Sequence, residues 1–528
     1  MRIFLLVLIV GAICYNYTQS ATVANVVMMT LMQLPFFVVI AWSYWWLKRC
    51  FVGRWPWTKG VFYAVFVFYA IVSIVECYLC FFVNSGYTQN ILTFLLQTDA
   101  GEANGFLHAY IANKMFFLFV ISVLVAALLI WCVNLFLPSG IMSNPWLKTI
   151  VMASFVYVFL FPTFPCTSVS RLANALYHYS DTKKAEEKIC YDAKIQASNA
   201  DPHLIVLIIG EAFSKHHSSL YGYDKQTNPC LEELVESGNL YVFNDVVAPY
   251  NKTHMMLKEL LSMHSVDAPI PWSDYPLWPQ IFRDAGYYVS FISNQVPSVA
   301  SGESVAYFFQ DKDVERRCFN YRNGSTYRYD EGLLNELQTI SSLSHCPKEL
   351  TILHLNGQHI YATYNFPHEH FTIFQPSDYI RNKLNLDSRQ VQELADYDNA
   401  TLYNDYVVSQ IMRWYEGREA IVVYLSDHGE EVHDYRPFLG RSHETVPTRE
   451  ELKYQYEIPF MIFMTDEYKQ KNADVVRRVE SACEHRFMSD DIPHMLLGVS
   501  GIETGWYDAS RNVLSPVFNP DRSRIFGY

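Results

Sequence analysis

The sequence predicts an N-terminal five-helix transmembrane bundle followed by a C-terminal α/β domain built on a largely parallel central sheet. The first sign is a change in composition: up to about Phe164 the chain is mostly Val, Ile, Leu, Phe, Trp and Tyr, and from about Asp181 it reads as a somewhat acidic soluble domain. The second is a set of five stretches, at about 3–20, 22–47, 60–84, 112–137 and 149–166. Each reaches the roughly 20 mainly apolar residues that a bilayer-crossing helix needs. The third is a series of short, wholly apolar runs, Leu204–Ile209, Leu350–Leu355 and Ala420–Leu425. Such runs suit strands buried on both faces, and they alternate with amphipathic stretches such as Asp398–Tyr415. The expected boundaries are a membrane domain over 1–167, a linker over 168–200 and a soluble domain over 201–528.

In the first span Arg2 precedes a short apolar core, a pattern shared with signal peptides. No small-x-small cleavage site ends that core and a second span follows at once, so a retained anchor is expected. Lys48, Arg49, Arg54 and Lys59 lie between spans two and three, whereas the loop after span one is uncharged and the loop after span three carries Asp99 and Glu102. The positive-inside bias then places the N-terminus inside and, after five crossings, the large domain outside. Trp42, Trp45, Trp46, Trp55 and Trp57 surround the basic loop as an interfacial aromatic belt. Five spans exceed what anchoring requires, which points to a part in holding a lipid.

The formal net charge of −13 comes mainly from the soluble part. It excludes a nucleic-acid partner, because phosphate-backbone binding needs a basic face. The chain has 11 cysteines, and its CxxC, Cys77 and Cys80, lies inside an apolar run, so no zinc-ribbon pair is expected. Cys190, Cys230, Cys318, Cys346 and Cys483 fall in the soluble part, where an oxidising compartment would let some of them pair.

The chemistry lies where the apolar runs end. Leu204–Ile209 leads into Gly210-Glu211, Leu350–Leu355 into Asn356-Gly357-Gln358-His359, and Ala420–Leu425 into Ser426-Asp427-His428-Gly429. Ligands of open α/β sheets bind beyond the carboxyl ends of the strands. A single glutamate after a strand is usually a solvated loop residue. An adjacent Asp-His pair is more telling, since carboxylate and imidazole together suit zinc. Three such strand ends in one sheet bring these groups to a common edge.

Taken in order, these segments resemble bacterial phosphoethanolamine transferases, which belong to the alkaline-phosphatase/sulfatase superfamily. Val206–Leu231 is similar to the family's entry strand, Gly-Glu-Ser/Thr and Gly-Tyr-x-x-x-Thr-Asn-Pro. Leu353–Pro367 resembles its Leu-His-x-x-Gly-x-His segment, Tyr397–Gln410 its Tyr-Asp-Asn and Tyr-x-Asp helix, and Tyr424–Glu430 its Ser-Asp-His-Gly-Glu motif. Gly440–Pro459 holds a His followed by Ile-Pro, and Gln97–Ala103 is similar to the Glu-Thr-x-x-x-Glu-Ala loop before the fourth span. The resemblance covers nearly the whole chain.

It implies a multi-pass protein of the bacterial inner membrane with its catalytic domain in the periplasm, acting as a monomer. The implied zinc ligands are Glu211, Asp427 and His428, with Thr253 as fourth ligand and nucleophile. Thr253 is the single threonine of Ala248–Leu261, where the family's Gly-Thr-Ala-Thr-like string is replaced by Tyr250-Asn251-Lys252-Thr253. Read without the family, Thr253 is an N-cap for a helix starting at Met255. The resemblance further implies phosphate-facing roles for His359 and His443, and contacts from Thr98 and Glu102 to the substrate head group. The implied reaction moves phosphoethanolamine from phosphatidylethanolamine onto Thr253 and then to an envelope glycolipid or glycan, such as lipid A or lipopolysaccharide core.

Three other assignments compete. A sulfatase nucleophile would need a Cys/Ser-x-Pro-x-Arg motif, which the Thr253 region lacks. A lipoteichoic-acid-type glycerol-phosphate transferase shares the Lys-Thr string, but Gly222-Tyr223 and Thr227-Asn228-Pro229 favour phosphoethanolamine. A catalytically inactive membrane sensor keeping the fold is disfavoured by the full ligand set. His216-His217 are expected as solvated surface histidines and His368-Glu369-His370 as loop.

Overall fold

The computed structural model describes scattered positions between Ile9 and Tyr44, then residues 57–83, 87, 167–186, 192–198, 203–295, 314–318, 327–343, 346–359, 361–379, 384–442 and 447–526. The chain divides into two compact units, Met1–Lys184 and Ala185–Tyr528. In the first, helix α1 (Thr58–Val83) contains Tyr63–Cys80, the one stretch among the described residues that is a helix long and apolar enough to cross a membrane. The spans expected at 3–20 and 22–47 are described only at scattered positions. Those at 112–137 and 149–166 lie outside the described residues, as do Thr98 and Glu102.

A charge in an apolar helix is costly unless partnered. Glu76 of α1 is fully enclosed, and Arg171 meets it with two parallel donors, Nε to Oε1 at 2.6 Å and Nη2 to Oε2 at 2.5 Å. Arg171 belongs to α2 (Ser168–Glu186), so the stretch expected as a linker opens as a helix. It also contains strand β1 (Ile195–Ser198), which pairs antiparallel with β13 (Ile502–Thr504).

The second unit is organised around a seven-stranded sheet. Its spatial order is β3 (Leu240–Phe243), β11 (Phe460–Met464), β8 (Ala420–Ser426), β2 (Leu204–Gly210), β7 (Glu349–His354), β5 (Tyr288–Ser293) and β6 (Glu315–Cys318). All pairings from β8 to β6 are parallel, and β11 runs against both neighbours, so the sheet is mixed but largely parallel. Two further pairs lie outside it, parallel β4 (Asp245–Val247) with β12 (Arg486–Met488) and antiparallel β9 (Glu431–Val432) with β10 (Leu439–Gly440).

Strand alternation sorts the apolar side chains to two faces. From β2, Ile205, Leu207 and Ile209 pack with α4 (Thr253–Leu261), α5 (Trp278–Asp284), α8 (Asp466–Lys471), α9 (Ala473–Ala482) and α10 (Ile492–Ser500). Val206 and Ile208 pack on the other side with α3 (Pro229–Glu236), α6 (Gly332–Leu343) and α7 (Ser388–Trp414). Helices on both faces explain why the central strands read as unbroken apolar runs. Strand directions bring the ends of β2, β7, β8 and β5 to one edge.

Helix α7 starts at a capping box, with Asp387 accepting from the amides of Arg389 and Gln390 and Gln390 returning a bond to Asp387. Its buried side includes polar groups, each engaged by another segment. Asp405 accepts from the amides of Cys230 and Leu231 at the start of α3, both at 2.9 Å. Asn399 accepts from the amides of Ile373 and Phe374. Asp398 meets His217 Nδ1 at 2.7 Å and accepts from Tyr223 and Tyr379.

His217 is therefore buried, with Asp434 3.3 Å from its Nε2, and His216 lies 3.0 Å from Glu457. This corrects the expectation of a solvated histidine at His217, where two carboxylates supply the partners that water would otherwise provide, whereas His216 remains partly exposed. His368-Glu369-His370 sits in a short exposed helix, His368–Phe371. Among the described residues Cys230 and Cys483 are in no disulfide, Cys346 Sγ donates to Gly286 O at 3.6 Å, and Cys190 lies outside the described residues.

Two predictions follow from α7. Asp405→Ala strands two amides at the start of α3 and should lower stability by about 1–3 kcal/mol in denaturant titration. Burial opposes charge on His217, but Asp398 and Asp434 outweigh it and push the ring from 6.5 up to about 10. Its folded pKa is raised, so the stability it contributes is complete below pH 6.5 and is lost as pH rises through about 10. Histidine-selective nitrogen NMR at pH 8 should show this ring doubly protonated.

Candidate metal centre

Glu211 follows β2 directly, at a turn that requires unusual backbone. Ala212 takes a left-handed φ of +55°, which costs a non-glycine residue energy unless its surroundings hold it. Here they do. The Ala212 amide donates to Asp427 Oδ1 at 3.1 Å, and its carbonyl accepts from Tyr397 Oη at 2.6 Å. Phe213 donates to Ser426 Oγ at 2.9 Å and Ser214 to Tyr397 Oη at 2.8 Å. Thus β8 and α7 together set the direction in which Glu211 leaves the strand. Gly210 is also constrained, because a Cβ there would lie 2.5 Å from the Tyr424 hydroxyl.

The end of β8 turns toward the same place. Asp427 N donates to Gly210 O at 3.0 Å and His428 N to Asp427 Oδ1 at 2.7 Å. Glu211, Asp427 and His428 are all fully buried, and one ligand atom from each lies within 4.8 Å of the others. His428 Nδ1 donates to the Gly429 carbonyl at 2.8 Å, which leaves the lone pair on Nε2 when the ring is neutral. Burial, then the Arg441 charge, lowers this imidazole to about 4, so it is neutral at pH 7.

That lone pair is 3.1 Å from Asp427 Oδ2 and 3.3 Å from Glu211 Oε1. Three electron-pair donors converge here in full burial, and a cation is what such a set accommodates. Burial and the charge of Glu211 push Asp427 well above the usual carboxylate range. Two carboxylates and an imidazole nitrogen form a donor set that suits zinc.

Thr253 is the first residue of α4, after Lys252 as N-cap, and makes no capping bond. The N-cap expectation is therefore displaced by one residue. Its hydroxyl instead donates to Glu211, 3.1 Å from Oε2 and 3.3 Å from Oε1, and lies 3.2 Å from His428 Nε2. His359 stands on the turn after β7, half-buried. His443 lies outside the described residues.

Several neighbours were not singled out from sequence. Gln295, just past β5, donates Nε2 to Glu211 Oε2 at 2.9 Å and to Leu355 O at 3.0 Å. Arg441 Nη1 meets His428 Nε2, and its Nε is 3.0 Å from Glu430 Oε2. Lys252 is lowered to about 8 by burial and by Arg441. A lone Gln or Arg in a loop carries no spacing signal, and only the strand ends beside them hinted at their place.

The Sulfatase family model matches residues 203–502, more than half of the chain. Among curated proteins, phosphoethanolamine transferase EptC of Escherichia coli (strain K12) is 27% identical over 476 residues, covering 83% of this chain and 80% of that protein. Phosphoethanolamine transferase CptA of Salmonella typhimurium is also 27% identical, covering 82% and 78%. Among solved structures, the C-terminal periplasmic domain of the E. coli EptC in complex with Zn matches with a TM-score of 0.55 at 29% identity, covering 63% of this chain and 92% of that one. The integral membrane lipooligosaccharide phosphoethanolamine transferase A of Neisseria meningitidis matches in fold with a TM-score of 0.67 at 16% identity, covering 97% and 98%. With its strand-end cluster and a family match running from β2 to β13, the chain belongs to the sulfatase family.

Proposed function

We propose that this protein is a zinc-dependent transferase that moves phosphoethanolamine from phosphatidylethanolamine to an envelope glycolipid or glycan, through a covalent intermediate on Thr253. The observation that carries this is the approach of the Thr253 hydroxyl to Glu211 and His428, groups delivered by separate strands. The similarity to EptC, CptA and the zinc-containing EptC domain supports the choice of phosphoethanolamine and of zinc.

Glu211, Asp427 and His428 would hold the metal, with Thr253 as a further oxygen ligand. Zinc bound there supplies Lewis-acid chemistry, making a threonine hydroxyl nucleophilic near neutral pH. The chain's own residues account for the rest. Thr253 Oγ1 already directs its proton to Glu211, which leaves an oxygen lone pair for the phosphorus. Its place at the start of α4 favours a phosphate, because the helix N-terminus carries partial positive charge. Lys252 and Arg441 add positive charge beside it.

In the first half-reaction the bond from phosphorus to Thr253 Oγ1 forms and the bond to the diacylglycerol oxygen breaks, that oxygen gaining a proton. In the second, an acceptor oxygen takes the phosphorus, and Thr253 recovers its proton. His359 and His443 are assigned to neutralising the phosphoryl oxygens and to these proton transfers. Thr98 and Glu102 are assigned to the head group. Five membrane spans would hold the lipid donor at the inner membrane, with a monomeric catalytic unit in the periplasm.

Incubation with head-group-labelled phosphatidylethanolamine should place the label on Thr253, and Thr253→Ala should abolish labelling and lower turnover by roughly 10^4-fold or more. Label from phosphatidylglycerol instead would favour glycerol-phosphate transfer, and unchanged turnover in Thr253→Ala would overturn the mechanism. Stripping metal with a chelator should stop turnover and added zinc restore it. Asp427→Asn should need far more zinc for the same recovery.

A further inference from the structure

Asp330 is a buried carboxylate, 3% exposed, that belongs to none of the motifs at the strand ends. It stands just ahead of α6 and gathers three donors. Oδ1 accepts from Asn294 Nδ2 at 2.8 Å and from the Asn356 amide at 2.9 Å, and Oδ2 accepts from the Gly357 amide at 2.9 Å. Asn294 follows β5, whereas Asn356 and Gly357 follow β7. One carboxylate therefore ties together the ends of two adjacent strands.

Both tied segments touch Glu211. Gln295, next to Asn294, holds the Glu211 carboxylate at Oε2. On the other side, the β7 turn lies flat on the Glu211 backbone: Gln358 N donates to Glu211 O at 3.0 Å. Gly357 adopts a φ of +47°, and a Cβ there would fall 2.8 Å from Glu211 O and 2.9 Å from Glu211 N. The same turn carries His359. Its carbonyl accepts from Asn365 Nδ2 at 2.8 Å, and Asn365 Oδ1 accepts from Asn356 Nδ2 at 2.8 Å.

We propose that Asp330 is a positioning residue that holds the β5 and β7 ends against Glu211, and so sets both the zinc-binding position of Glu211 and the placement of His359. It acts through these segments, and it rests on the zinc-transferase function proposed above. A carboxylate is needed because both oxygens must accept. In Asp330→Asn the amide nitrogen would face an N–H, donor against donor. Partners of metal ligands change affinity by about 10–100-fold when removed, and the same range is expected here although Asp330 is one step further out.

The test compares full-length Asp330→Asn with Asp405→Asn, in which a comparably buried carboxylate holds the α3 amides instead. Zinc affinity, by competition with a chromophoric chelator, is measured alongside turnover and the thermal midpoint of the metal-free protein. Asp330→Asn should bind zinc at least about tenfold more weakly while Asp405→Asn binds as wild type. Wild-type zinc affinity and turnover in Asp330→Asn would overturn the proposal, as would equal weakening in both variants, which marks general destabilisation. If Asp330→Asn does not fold, Asn294→Ser removes one donor from the same carboxylate: weaker zinc binding supports the role, and unchanged binding overturns it. A wild-type protein that binds no zinc would overturn this inference and the zinc-dependent function together, which separates the two failures.

Discussion

Two carboxylates and an imidazole lone pair meet, fully buried, at the carboxyl edge of the sheet, and much of the surrounding structure holds them there. Left alone, Glu211, Asp427 and His428 would repel one another or turn to solvent. They stay because each leaves its strand at an angle fixed by bonds from elsewhere. Asp427 is tied to the backbone of Gly210 and Ala212, His428 to the carbonyl of Gly429, and Glu211 to Gln295 and Thr253. The left-handed Ala212 stores strain at the centre of this arrangement, and the bonds of Tyr397 and Ser426 to its flanks offset it.

Helix α7 is the main support. An ordinary surface helix buries an apolar stripe and exposes its polar side. In α7, Tyr397, Asp398, Asn399, Asn404 and Asp405 are buried as well, and they bond to the loop after Glu211, to His217, to the 373–374 turn, to Tyr424 and to α3. The Tyr-Asp-Asn part, through Tyr397, is thus a frame that bears on the site indirectly, whereas Asp405 of the Tyr-x-Asp part holds the start of α3. Buried polar networks of this kind stabilise only when every partner is present, so they favour one arrangement of the loops over others.

Much of this was legible in the sequence where local pattern and burial agree. The three apolar runs are the β2, β7 and β8 strands to within a residue or two, and Glu211, Asp427 and His428 stand together as their places at strand ends imply. Legibility failed where long-range partners decide the outcome. Read by short-range preference alone, without the family, Thr253 is an N-cap, but Glu211 takes its hydroxyl and Lys252 becomes the cap. His217 looked solvated because nothing beside it in the chain announces Asp398 or Asp434, which come from well over a hundred residues away. Gln295, Asp330 and Arg441 carry no motif, and only the folded sheet brings them to the site.

The first unit poses a related problem, since Glu76 within the apolar α1 is tolerable there because Arg171 grips both its oxygens. In both units, buried charge is permitted only where the fold supplies its complement. For the strand-end cluster the complement we propose is a metal ion, and an X-ray absorption spectrum with anomalous diffraction at the zinc edge tests this most directly. One zinc bound by Glu211, Asp427 and His428 with the Thr253 oxygen beside it is the predicted result. Zinc bound elsewhere, or a crystal grown with zinc in which these three residues hold none, would contradict it.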